Sequence, residues 1–486
     1  MLIAAASLPG QRGLFDVRCA GGAIASVQPH QRGNIARADI HAHGGALLPG
    51  LHDHHIHVCA LAARQHSVPC GPDAVRSAGE LAVKLRGAPG SGWVRALDYH
   101  ESVAGELDRH RLDSMQAHRP LRLQHRSGKL WMLNSLALSQ LGLQPGEYPE
   151  GMQLDASGQP TGRLFRLDAW LAARQAARGE RVVPDVGSVS RQLAAHGITG
   201  VTDASATNDA SALALFEAAA RTGQWRQRLR MMGGANLPQP EHPLLERGER
   251  KILLDEDNLP EWESLASTIR DAHRQHRAVA LHCVTEAELV FALAVLAEVG
   301  VLPGDRIEHA SLVPEAVLPL LRESGVRVVT QPAFVHERGE RYLADVAPAQ
   351  HAELYRLRSL LECGIPLAGS SDAPYTNPDP WAAMRAAVQR RTRAGTLLGP
   401  RERLSPEQAL ALFCSAAATP GVVQRAVAPN GPADLCLLDR PWPAARERLH
   451  CSDVRATLVA GECIYLRDAE QSRQRHAADL AWFAAQ

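Results

Sequence analysis

From Val189 onward, short β-branched or apolar runs alternate with helical patterns, a rhythm produced by parallel βαβ units and by few other folds. Starting from PGLHDHHIHV, the further runs GITGVTDA, RQRLRMM, ERKILLD, AVALHCV, DRIEH, VRVVTQ and IPLAGSSD bring the count to eight. Eight parallel strands predict a (β/α)8 barrel. Between the runs the apolar period lengthens to that of a helix. After ERKILLD, Trp262, Leu265, Ile269 and Ala272 fall on one face. Ala287 to Val299 precedes DRIEH, Pro314 to Ser324 precedes VRVVTQ, and Ala352 to Cys363 precedes IPLAGSSD, each with a glycine near its end, where helices terminate.

The chain is longer than a barrel requires. Its 486 residues exceed the roughly 250–300 at which one core usually stops growing. About 130 residues separate the first strand from the second, far more than a barrel connection needs. This insertion, residues 60–188, mixes strand, helix and turn in GSGWVRALDYH, RPLRLQHRSGKLWMLNSLAL and DASGQPTGR, and is expected to lie over one mouth of the barrel. Residues 1–48 and 430–470, the latter including GPADLCLLD and VRATLVAGECIY, are strand-like with Gly and Pro turns and complete no βα unit. They are expected to form a small β-sandwich domain, leaving residues 49–429 to the barrel and its insertion.

Composition excludes several functions. Lys plus Arg and Asp plus Glu balance at 52 each, so net charge gives no surface for a polyanion such as nucleic acid. The most apolar stretch, AELVFALAVLAEVGVL, is interrupted by Glu288 and Glu298 and falls short of the roughly 20 residues of a membrane span. It reads as a buried helix. MLIAAASLPG lacks a basic leader, so a cytoplasmic location is expected. Nine cysteines without a CxxC pair do not make a disulfide framework. The partner expected is therefore a small molecule rather than nucleic acid or membrane.

Histidine is the unusual entry. Five of the 22 lie between Ala42 and Val58. Residues at alternate positions of a strand share a face, so His55 and His57 can reach one metal ion from the barrel mouth, with Asp53 on the same face as a partner for an imidazole. His41 with His43 and His52 with His54 repeat the spacing. The first pair precedes the Gly44–Gly45 turn and belongs to the surface of the small domain; the second faces away from His55. One HxH pattern does not make a site. Lys251, His282, His309 and Asp372 add to it, each near the carboxyl end of a later strand in largely apolar sequence, which is where barrel sites form. Gly369, Ser370 and Ser371 leave room beside Asp372. Lysine is by itself a poor metal ligand and reads as a rim residue.

At these residues the sequence resembles the amidohydrolase superfamily, specifically its amidohydrolase family 3. PGLHDHHIH is similar to that family's PGxxDxHxH, ERKILLD to its strand with a metal-bridging lysine, ALHCV and RIEHA to its fifth and sixth strands, and GSSDAP to its eighth. The resemblance implies a binuclear centre of zinc, or of other divalent metals, with two ions per chain. Lys251 would be N-carboxylated and bridge them, with His55, His57 and Asp372 on one ion and His282 and His309 on the other. It also implies a homodimer, and a metal-dependent hydrolase that cleaves the C–N bond of an amide, N-acyl or N-formyl amine, with Asp372 as general base and acid. Three places depart from the family pattern. Asp255 is followed by Glu256 rather than Gly, Gly128 by Lys129 rather than His, and the fifth strand continues His282-Cys283-Val284-Thr285-Glu286 rather than His-x-x-Gly-Asp.

For the substrate, the candidates are Tyr99, His100, Lys129 and Trp131 of the insertion, and Gln331, Arg338, Tyr342 and Tyr375 in loops after late strands. Lys129 or Arg338 would bind a substrate carboxylate. Two other functions compete. One is a deaminase or cyclic-amide hydrolase acting on a heterocycle with one metal; the other is a non-catalytic small-molecule binding barrel.

Overall fold

The computed structural model describes residues 1–144, 146–178 and 183–467. Residues 145 and 179–182 of the insertion and 468–470 of the terminal domain lie outside the described residues. Two compact units are distinguished, Met1–Val58 with Val186 onward, and Cys59–Asp185.

The first unit contains the barrel. Its strands are β1 (Leu51–Ile56), β2 (Ile198–Asp203), β3 (Arg228–Gly233), β4 (Leu245–Leu253), β5 (Val279–Cys283), β6 (Arg306–His309), β7 (Arg327–Thr330) and β8 (Leu367–Gly369). Each is parallel to the next in chain order. The segment after β8 returns to β1, where Asp372 N donates to His55 O at 2.7 Å and His57 N to Ala373 O at 2.8 Å. All eight sequence runs are strands.

The helices follow the apolar period with informative exceptions. In Trp262–Arg274, Leu265, Ala266, Ile269 and Ala272 are buried. Trp262, expected on that face, is 39% exposed and donates its indole N–H to Glu298 at 2.6 Å, because an amphipathic ring at a helix start can leave the core and keep its polar edge satisfied. Glu286–Val299 begins with a capping box between Thr285 and Glu288, and Glu288 is buried rather than an interruption of the apolar face. The stretch Ala352–Cys363 is only partly helical, at Arg358–Glu362. The longer helix after β7 is Ala333–Asp345. It therefore carries Arg338 and Tyr342, which the sequence reading placed in a loop. Few apolar residues and a central glycine hid it; a Cβ on Gly339 would collide with the Thr392 side chain.

The same unit contains two four-stranded sheets. One joins Leu2–Ala6, Phe15–Ala20, Ala23–Pro29 and Ile40–His41; the other joins Leu47–Pro49, Leu435–Leu438, Val454–Val459 and Glu462–Leu466. Ile3, Val17 and Ile24 of the first share a core with Leu435, Leu437, Ala456 and Leu458 of the second, which makes a sandwich.

The second unit is a six-stranded mixed sheet with apolar clusters of its own. Tyr99 is fully buried in it, with its hydroxyl donating to Gly105 O at 2.5 Å.

Candidate metal centre

The carboxyl ends of β1, β4, β5 and β6 and the loop after β8 bring the ligand-type residues together. Donor atoms of His55, His57 and Asp372 lie within 4.8 Å of one another. One oxygen of Asp372 is 3.5 Å from His55 Nε2 and 3.2 Å from His57 Nε2. The His55 ring lies 4.8 Å from that of His309, which lies 4.4 Å from that of His282. His55 and Lys251 are buried, and the Lys251 amine has no hydrogen-bond partner.

What fixes the imidazoles is a set of oxygen atoms on their other nitrogens. His55 Nδ1 meets Glu308, His57 Nδ1 meets Ser205 Oγ at 3.0 Å, and His309 Nδ1 donates to Gln331 Oε1 at 2.8 Å. With Nδ1 so engaged, Nε2 is left as the ligand atom, the usual way a metal-binding ring is oriented. The holders are themselves held. Arg306, fully buried, donates to both oxygens of Glu308 and, at 2.7 Å, to His54 O. Gln331 donates to Ser370 Oγ at 3.0 Å. Ser205 N is bonded to Asp203, which also accepts from Val58 N at 2.9 Å.

Backbone strain gathers at the same place. His309, Ala310 and Asp372 have φ of 70°, 44° and 56°, a left-handed conformation that costs non-glycine residues free energy and that surrounding structure must impose. It turns His309 off the pleat of β6.

Electrostatics favour neutral ligands. Burial, followed by the Lys251 charge, pushes His55 well below the ordinary imidazole range and His282 down to about 3. Burial lowers His309 too, with His282 and His55 adding to it. Burial likewise pulls the Lys251 ammonium down, against an opposing pull from Glu308. For Glu308 burial acts upward, but Arg306 and Lys251 outweigh it and hold the carboxyl below its usual range.

Several sequence expectations are revised. Asp53 orients no imidazole; its carboxylate accepts from Ser371 N at 3.0 Å, from Ser371 Oγ and from His55 N, tying β1 to the end of β8. Burial pushes it up to about 6. Gln331, expected among the substrate contacts, is fully buried and holds His309. Arg338 lies over the Phe334 ring at 4.4 Å and donates to Tyr375 O at 3.2 Å, so its guanidinium is occupied within its own helix and loop. Tyr375 is 49% exposed and edge-on to His57 at 5.9 Å. In the second unit, Trp131 is buried and donates to Asp168 at 2.6 Å, and Tyr99 is internal; both pack that unit because a large ring with a satisfied polar tip is a core residue. His100 caps the helix Glu101–Ala104, and Lys129 is exposed. Glu308, Arg306 and Ser205 were missed. The signal for the first two was present in DRIEH, where an Arg and a Glu two apart on a buried strand must face each other's side and pair.

The rival histidines behave as ordinary buried or surface groups. His52 Nε2 meets Thr202 Oγ1 at 2.9 Å and His54 Nε2 meets Ser415 Oγ at 3.0 Å. His43 is exposed, and its N–H donates to His41 Nδ1.

A profile of the amidohydrolase family matches residues 40–465. The chain belongs to the amidohydrolase family. It is thus a hydrolase of carbon–nitrogen bonds, and the cluster at the barrel mouth fits the divalent metal such enzymes depend on. Among relatives, an N-substituted formamide deformylase of Arthrobacter pascens is 26% identical over 87% of this chain and 89% of its own. Among solved structures, an uncharacterized metal-dependent hydrolase from Pyrococcus furiosus superposes with a TM-score of 0.70 at 20% identity, covering 90% of this amidohydrolase and 98% of that chain. A 5-methylcytosine deaminase from Klebsiella pneumoniae gives 0.55 at 13% identity, over 96% and 98% of the two chains. These two likenesses are of fold. No helix among the described residues is long and apolar enough to cross a membrane.

Proposed function

We propose that this amidohydrolase hydrolyses the amide bond of an N-formyl or N-acyl amine at a binuclear centre. The observation that carries the reading is Lys251, whose buried amine has no hydrogen-bond partner beside four imidazoles and a carboxylate. An unpaired buried polar group is costly, and N-carboxylation would make this one an anionic oxygen ligand: the amine adds to carbon dioxide, forms an N–C bond and releases a proton. His55, His57 and Asp372 would then hold one ion and His282 and His309 the other, with Lys251 between them. The donor set of imidazole and carboxylate suits zinc. Ions so held supply Lewis acidity and make hydroxide available near neutral pH.

The chain's own groups do the rest. The Asp372 carboxylate, beside His55 and His57, takes the proton of the attacking water as its oxygen bonds to the carbonyl carbon. It then delivers that proton to the departing nitrogen as the C–N bond breaks. Glu308, Ser205 and Gln331 keep the imidazole Nε2 atoms turned inward throughout. The formamide deformylase among the relatives supports a formyl or small acyl group.

The test is metal content per chain together with formate release from N-formyl amines, before and after Lys251→Ala. Two ions, turnover, and loss of both in the variant are expected. One ion per chain, a fully active Lys251→Ala variant and ammonia release from heterocycles would replace this reading with a one-metal deaminase.

A further inference from the structure

A cavity of about 600 Å³ is lined by Val284 and Ser311, which stand two positions beyond His282 and His309 in the chain. Most of its wall is aliphatic, with Val284, Val290, Leu312 and Val346 facing it. Half of its lining residues are polar, and those that carry charge are all acidic. Glu256 and Glu286 line it and no Lys or Arg does. Both carboxylates stand where the sequence departs from the family pattern, at Asp255-Glu256 and at the end of His282-Cys283-Val284-Thr285-Glu286. Buried Glu288 fixes the backbone of Glu256 and of the two residues before Glu286: its carboxylate accepts from Glu256 N at 3.0 Å, Val284 N at 2.6 Å and Thr285 N at 3.1 Å. The acidic rim is therefore built in.

The uncharged polar residues that line it are Thr285, Ser311, Tyr342 and Gln350, and of these Tyr342 stands at the end of a chain of hydroxyls. Ser311 Oγ donates to Tyr355 Oη at 3.0 Å, and Tyr355 Oη lies 2.9 Å from Tyr342 Oη. A phenol has a single proton. Either phenol can donate to the other; when Tyr355, which accepts from Ser311, gives its proton to Tyr342, the proton of Tyr342 is left for the cavity it lines.

We propose that Tyr342 determines specificity by donating a hydrogen bond to an acceptor on an otherwise apolar substituent of the amide substrate, while Glu256 and Glu286 exclude substituents bearing a carboxylate. This rests on the amide-hydrolase reading above. It also replaces the expectation of a substrate carboxylate held by Lys129 or Arg338, neither of which lines the cavity.

Formamides of near-equal size test it: N-(2-phenylethyl)formamide, its three pyridyl analogues with a ring-nitrogen acceptor, and its 4-carboxyphenyl analogue. In the metal-loaded enzyme one pyridyl isomer should exceed the phenyl compound in kcat/KM by about tenfold, the difference residing in KM. The carboxyphenyl compound should fall below it by a similar factor. In Tyr342→Phe the pyridyl preference should collapse towards one. In Glu286→Gln, a change at an exposed rim position, the carboxylate penalty should shrink severalfold, and this arm decides if melting shows that Tyr342→Phe does not fold. A pyridyl preference retained in Tyr342→Phe, a loss common to all compounds, or a wild-type preference for the carboxylate overturns the proposal. Calorimetric titration of the corresponding amines gives the same ranking without turnover. Turnover of none of the formamides with the amine ranking intact counts against the amide reading alone.

Discussion

Strand β1 and the residue after it carry two pairs of histidines with identical spacing, and their partners treat them differently. His52 and His54, both buried, meet hydroxyls of Thr202 and Ser415, partners of the kind any buried imidazole finds. On the mouth side His55 and His57 have Nδ1 engaged by Glu308 and Ser205, and their Nε2 atoms converge on one oxygen of Asp372. The pattern HxH is thus silent about chemistry. What separates ligand from core residue is whether an oxygen holds the far nitrogen while the near one faces other donors.

That contrast can be broken in graded steps. The largest effect is expected from Asp372→Asn, which should lower kcat/KM by about 10³-fold while the melting temperature holds; an active variant would remove Asp372 from proton transfer. Next, Glu308→Gln changes the group on the far nitrogen of His55, which is also the acceptor of Arg306, and replaces no ligand, yet metal affinity measured by chelator competition should fall about 10- to 100-fold. Unchanged affinity would mean that ring orientation is set by packing alone. His52→Ala and His54→Ala should each cost about 1–3 kcal/mol of stability in urea titrations, since each leaves a buried hydroxyl or cavity behind, with ions per chain at the wild-type value. Metal loss in either would erase the distinction between the pairs.

The smallest effect lies far from the mouth, in the terminal sheets. Asp16 is raised by burial, but hydrogen bonds from Gln31 N, Asn34, Ala5 N and His30 hold its carboxyl well below the usual range. A carboxylate depressed in the folded state stabilises it above the unfolded value near 4 and loses that contribution as pH falls through the folded one. Wild type should therefore lose more stability than Asp16→Asn as the pH drops below about 4. Parallel curves would show that the Asp16 network contributes nothing.

The eight strands were legible because each is an apolar run in a regular rhythm, and the ligand residues because polar groups stand out in such runs. Lys251, His282, His309 and Asp372 needed no structure to be singled out. The holders were harder to see. Glu308 sits next to His309 in RIEH and looked like flanking sequence, since nothing local says that its partners are Arg306 and, from β1, His55. Gln331 and Asp53 were noticed, but their bonds to His309 and to Ser371 were not foreseen: proximity to a ligand in sequence does not say which face or which atom a polar group serves. Tyr99 and Trp131 illustrate a different difficulty, because an aromatic residue with a polar tip suits a pocket and a core equally. Arg338 and Tyr342 lie on a helix that its weak apolar period concealed.

The seam between β1 and the end of β8 has a consequence for how the enzyme comes into being. Asp53 and Ser371, 318 positions apart in sequence, are bonded across it, as are the backbones of His55 and Asp372. During synthesis the histidines of β1 emerge early and wait for most of the protein before their acidic counterpart exists. A nascent or prematurely stopped polypeptide then carries imidazoles without the carboxylate that completes them. Catalytic competence is consequently a property of the finished circle alone, and translation that halts before the last strand leaves scattered metal-seeking side chains rather than a partial enzyme.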